Sequence, residues 1–138
     1  MSFTASAHSV GGTLRHDVNG RHRITTDEPE SLGGTDRGPA PHELLAAALA
    51  SCVSTMIVLY AQRRDWKLRD VRVDVNYDAD VTPRRVEVMV HLPEGLTADQ
   101  TERLRRVADT CPVRRALEAG FSFEERVERD LAAAAGAR

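Results

Sequence analysis

"ELLAAALASCVSTMIVLYAQRR", residues 43–64, is the stretch whose reading decides the fold. Leu44 to Ala61 is 18 residues without a charge, and Cys52 sits at its middle. Such a run is a membrane span, a core helix with an incidental thiol, or a core helix that presents the thiol. A span needs about 20 strongly apolar residues. This run is just short, and eight of its 18 positions are Ala, Ser or Thr. The flanking sequence reads as a soluble domain, so the stretch is predicted to be a buried helix. Pro41 can open it, because the missing N–H would be an orphan at that position.

The rest of the chain supplies what such a helix packs on. "VRVDVNY" (71–77) and "VEVMVHL" (86–92) each place Val or another apolar residue at every second position. Period two predicts half-buried strands, and Pro83 between them suits a turn. An antiparallel hairpin with one dry face follows. Upstream, "TLRHDV" and "RHRITT" are short strand-like pieces, with Gly11-Gly12 before the first and Asn19-Gly20 between the two. Asn-Gly in that setting is a hairpin signal. Downstream, "LTADQTERLRRVADTC" (96–111) is a helix with Thr97 and Gln100 as a capping pair. Leu104, Val107, Ala108 and Cys111 fall on one stripe of it. Pro112 ends that helix or starts another.

The predicted architecture is a single α+β domain over residues 1–138. N-terminal strands (1–26) lead into an aperiodic loop rich in Gly and Pro (27–40) and then the central helix (41–64). A hairpin (69–93), two helices (97–119), a final strand (121–128) and a low-complexity tail (130–138) follow. A helix over 41–64 is about 35 Å long and apolar all the way round. Its cover is expected to come from a second copy, with Ala46–Ala50 allowing close approach, so an intimate homodimer is predicted.

Composition narrows the function classes. Net charge is −2, both signs are dispersed, and aromatics are only 4 %, which argues against nucleic acid as a partner. The first residues lack a basic segment followed by an apolar one, so no secretory signal is read. Two cysteines are too few for a disulfide scaffold, and a cytoplasmic protein with free thiols is expected. His8, His16, His22 and His91 lack ligand spacing, and no metal or cofactor is expected. The cysteines are 59 positions apart in sequence. They are either small core hydrophobes or a reactive pair. In the second case Cys111, ahead of Pro112, would sit at a helix N-terminus, where the dipole favours thiolate.

"DEPESLGGTDRGPAPHELLAAALASC" (27–52) followed by "CPVRRAL" (111–117) resembles the OsmC/Ohr family, the osmotically induced and organic hydroperoxide resistance proteins. The shared features are a Gly-Gly loop, G-P-x-P, E-L-L-x-A-A-L-x-x-C and a distal C-P-V. The resemblance implies an intertwined α+β homodimer with its active site at the dimer interface. It also implies thiol-dependent reduction of organic hydroperoxides, with an external dithiol as reductant. By motif position the resemblance implies that Cys52 is the peroxidatic cysteine and Cys111 the resolving one. Peroxidases of the family add an arginine from the N-terminal region, for which Arg15 and then Arg37 are the candidates. They also add a glutamate ten residues before the cysteine. Here that position is His42, and Glu43 lies nine before Cys52, half a turn out of phase with it. A binding module for an apolar or reactive small molecule, and a redox sensor, are the alternatives on the same fold.

Overall fold

The computed structural model describes residues 1–129. Its elements are β1 (Ser6–Ser9), β2 (His16–Asn19), β3 (Arg23–Thr26), α1 (Pro41–Arg63), β4 (Arg72–Asp78), β5 (Arg85–His91), α2 (Ala98–Ala108) and α3 (Pro112–Ala119). The fold is α+β, with two antiparallel sheets and one long helix. The expected tail, 130–138, lies outside the described residues.

The valine alternation sets the β4–β5 pairing. Val73 lies opposite Val90, Val75 opposite Val88 and Tyr77 opposite Val86. These six side chains share one face, which α1 covers only in part. Val86 and Val88 remain 40 % and 37 % exposed. The N-terminal sheet runs β1-β2-β3, with Ala7 opposite Val18 and Val18 opposite Ile24. The β2–β3 connection takes in Gly20, Arg21 and His22, one residue longer than the tightest Asn-Gly hairpin. Left-handed backbone occurs in the β1–β2 turn instead, at Gly11 and Gly12.

Helix α1 is apolar on every side. It buries one line of residues, Leu49, Val53, Ile57 and Ala61, spaced every four. Leu104 and Ala108 of α2, together with Cys111, complete that core. The opposite flank, Ala47, Ala48, Ser51, Thr55 and Leu59, is exposed in the single chain. Only 22 % of the most apolar 18-residue part of α1 is buried, and by length and composition this helix could cross a membrane.

Helix α2 begins as its sequence dictates. The Thr97 hydroxyl accepts the Gln100 N–H at 3.1 Å, and the Gln100 side chain accepts the Thr97 N–H at 2.9 Å. It ends at Ala108, short of the predicted Cys111, and Pro112 starts α3. The strand predicted for 121–128 is corrected: Phe121–Glu128 forms no strand here. Its alternation is real, but a strand needs a ladder partner, and none pairs with it within the described chain. Phe123 is 85 % exposed.

The loop before α1 is organised around a buried carboxylate. Asp27, 1 % exposed, accepts the Thr35 hydroxyl at 2.6 Å and the backbone N–H groups of Glu28, Thr35 and Arg37. Its own N–H donates to the Pro39 carbonyl at 3.3 Å. The loop closes tightly enough that a Cβ at Gly34 would run into the Glu28 backbone, and one at Gly38 into the Thr25 carbonyl. Gly34 and Gly38 are therefore required by close backbone approach. Led by the Thr35 hydroxyl, the hydrogen bonds hold the Asp27 carboxyl at about 2, below its ordinary 3.8. A depressed carboxylate stabilises the fold fully above its unfolded pKa and loses that contribution as pH falls toward the folded one. The amides of Thr35 and Arg37 should accordingly keep their exchange protection down to about pH 4 and lose it toward pH 2. Asp27→Ala should expose Arg37 to rapid trypsin cleavage at neutral pH, where the wild-type loop resists.

Candidate functional site: a thiol pair at the core edge

Two elements distant in sequence bring the cysteines together. Cys52 lies midway along α1, beside the buried Val53, and is itself partly buried. Cys111 sits at the corner between α2 and α3 and is 0 % exposed. Both belong to one apolar cluster with Leu49, Ile57 and Leu104. Both thiols are free.

Cys111 is the N-cap of α3, and its Sγ accepts the Arg114 N–H at 3.5 Å. The expected helix-terminus effect exists, but it is outweighed. Burial pushes the Cys111 thiol above its ordinary 9.0, and the neighbouring Cys52 sulfur raises it further, against the opposing pull of the Arg114 N–H. Desolvation disfavours the charged form, and one weak hydrogen bond does not reverse it. At neutral pH Cys111 is a protonated S–H beside the Cys52 sulfur. The asymmetry is chemical as well as steric, with one reachable thiol and one dry, neutral partner.

An open groove of about 850 Å³ runs between α1, the hairpin and α3. Leu45 and Leu49, Tyr77, Val86, Val88 and Leu117 give it apolar walls, and Arg114 and Glu118 stand at its α3 side. Arg114 is held by Asp109 at 2.7 Å and Glu118 at 2.9 Å. Among the described residues no three His, Cys, Asp or Glu side chains group to hold a metal ion.

The other residues singled out in the sequence fall elsewhere. Glu43 turns back on its own helix, accepting the Ala40 N–H at 2.8 Å as an N-terminal cap. His42 packs on the Tyr77 ring, 5.5 Å between centroids, at the far end of the groove wall. Arg15 lies just ahead of β2 and Arg37 on the Asp27 loop. Neither guanidinium makes an ion pair or hydrogen bond among the described residues. Asp27 was not legible as a site-positioning residue, since a single Asp in an aperiodic loop has no pattern to mark it.

A family model described as OsmC-like protein matches residues 34–126, a span that contains both cysteines. The chain belongs to this family. No curated protein matches it. Among solved structures, an organic hydroperoxide resistance protein OsmC from Legionella pneumophila is 27 % identical, with a TM-score of 0.62. The alignment covers 85 % of this chain and 89 % of that one. A candidate osmotic stress induced and detoxification response protein from Psychrobacter arcticus is 26 % identical, with 83 % and 88 % covered and a TM-score of 0.71. An OsmC-like protein from Mycoplasma pneumoniae, at 17 % identity and a TM-score of 0.67 over 86 % and 88 % of the chains, shares the fold.

The asymmetry of the OsmC-like thiol pair has a direct readout. Iodoacetamide at pH 8 on the native protein should label Cys52 and spare Cys111, with both labelled after denaturation. A raised thiol pKa means the folded state holds its proton where the unfolded state loses it. Stability should therefore be unaffected by Cys111 below about pH 8.5 and fall as pH rises beyond that.

Proposed function

We propose that this OsmC-like protein is a thiol-dependent peroxidase that reduces organic hydroperoxides and is recycled by a dithiol. The observation that carries the reading is the meeting of Cys52 and Cys111 in one cluster, one reachable and the other buried and neutral. The Legionella relative's designation as an organic hydroperoxide resistance protein supports it at the level of the family.

The chemistry follows from the pair. The Cys52 thiolate attacks the distal oxygen of the hydroperoxide, the S–O bond forms as O–O breaks, and the alcohol leaves with a proton. Cys52 is then a sulfenic acid. Cys111 attacks the Cys52 sulfur, S–S forms as S–O breaks, and the hydroxide takes the Cys111 proton to leave as water. An external dithiol exchanges with the disulfide and restores both thiols. The Cys111 thiol lies beside the Cys52 sulfur and keeps its proton until the closing step.

The apolar groove suits the organic part of the substrate. An arginine would complete the site beside the thiols, and within one chain Arg15 stands just ahead of β2 and Arg37 on the Asp27 loop. A homodimer supplies the arginine from the second copy, and the same second copy covers the exposed flank of α1. His42 holds the sequence position of the glutamate in the family's peroxidases, and it packs on Tyr77 of the groove wall.

The competing reading is a binding module for an apolar small molecule, and the observation favouring it is Glu43. That carboxylate is committed to capping α1 at Ala40 and makes no contact with the thiols. Consumption of cumene hydroperoxide in the presence of a dithiol separates the two. Cys52→Ser should abolish turnover, and Cys111→Ser should permit one oxidation of Cys52 followed by progression to sulfinic acid. Stoichiometric hydroperoxide should give wild-type protein an intrachain Cys52–Cys111 disulfide by mass spectrometry. Wild-type rates in Cys52→Ser, or a co-purified ligand beside unreactive thiols, would sink the peroxidase.

A further inference from the structure

Cys111 occupies the non-helical corner between α2 and α3. Asp109 is the C-cap of α2, and Cys111 is the N-cap of α3 with extended backbone, φ −53° and ψ 122°. Only Thr110 lies between them. The position of Sγ is thus set by how α3 is held against α2. Among the residues of α3 none is fully buried, so packing alone fixes its direction weakly.

Arg114 ties the corner together from both of its ends. Its backbone N–H donates to Cys111 Sγ at 3.5 Å. Its guanidinium reaches back across the corner to Asp109 Oδ1 at 2.7 Å and forward to Glu118 Oε1 at 2.9 Å. The ion pair therefore closes a ring of chain, residues 109–114, with the thiol at its apex. Two carboxylates flank this guanidinium, which leaves it little net field to offer the thiols. Its contribution is geometric. The side chains of the Arg114–Asp109 pair are 40 % and 52 % exposed, so the pair is worth little in stability. A reacting pair of sulfurs is far more demanding, because closure needs Cα atoms within about 7 Å and a defined dihedral.

We propose that Arg114, through its ion pair with Asp109, is a positioning residue that holds Cys111 for attack on Cys52. The proposal rests on the pairing of Cys52 with Cys111 in the peroxidase reading, but it concerns the closing step alone. Diamide isolates that step. The Cys52 thiolate adds across its N=N bond to give an S–N adduct, which takes up a proton. The Cys111 sulfur then displaces the reduced hydrazide, S–S forming as S–N breaks, and the Cys111 proton leaves with the hydrazide.

The experiment follows adduct formation and disulfide closure separately by quenched mass spectrometry in the full-length protein. In Arg114→Gln, closure should slow by about tenfold or more relative to adduct formation, while the melting temperature shifts by no more than a few degrees. Asp109→Asn should slow closure in parallel, and Arg114→Lys, which can still reach Asp109, should recover part of the rate. Wild-type closure in Arg114→Gln overturns the proposal, as does equal slowing of addition and closure, or failure of the wild-type adduct to close. Cumene hydroperoxide tests the other reading independently. Normal diamide closure in a wild-type protein that consumes no hydroperoxide would overturn the peroxidase, and the slowed closure of Arg114→Gln would still support the brace.

Discussion

A helix without charge from Leu44 to Ala61, covered by its own chain along one line, holds this molecule together. Leu49, Val53, Ile57 and Ala61 meet Leu104, Ala108 and Cys111, and the hairpin lies against the same helix through Val73 and Val75. Because the helix is apolar on all sides, these contacts satisfy only part of its surface. The thiol pair sits at the boundary between the covered part and the open part. Burial there makes Cys111 neutral, and partial exposure leaves Cys52 within reach.

The start of that helix is fixed by electrostatics rather than by hydrophobic burial. The carboxylate of Asp27 gathers three N–H groups and a hydroxyl, and the loop folds around it so closely that Gly34 and Gly38 admit no side chain. Pro41 and the Glu43 cap then begin α1. Residues that read as a sequence motif for activity turn out, in this chain, to serve the geometry of the helix that carries Cys52.

What the sequence revealed was what periodicity and chain punctuation encode. Alternating valines fixed the β4–β5 register, and Thr97 with Gln100 marked the start of α2. The extent of α1 followed from Pro41 and the charge-free run. The strand expected at Phe121–Glu128 had the right alternation, but alternation specifies a face and says nothing about a pairing partner. For the site, the cysteine motifs located both thiols, and their meeting depended on the α2–α3 corner, a tertiary fact with no local signature. The helix-dipole argument for Cys111 had the right hydrogen bond and the wrong balance, because burial is invisible to a single position in sequence. In sequence Arg114 is one more cation, three residues after Cys111. Its two carboxylate partners, five residues before it and four after, make it a structural link instead.

The exposed flank of α1 contains Ser51 and Thr55, which by composition look like water-facing residues. Each hydroxyl donates within its own helix, Ser51 to the Ala48 carbonyl at 3.1 Å and Thr55 to the Ser51 carbonyl at 2.8 Å. Their donors are already spent, and the surface they present is largely hydrocarbon. Such a flank can be dehydrated without stranding a polar hydrogen, so the penalty that ordinarily deters burial of serine and threonine is largely absent. In contact, this stripe behaves like the alanines beside it.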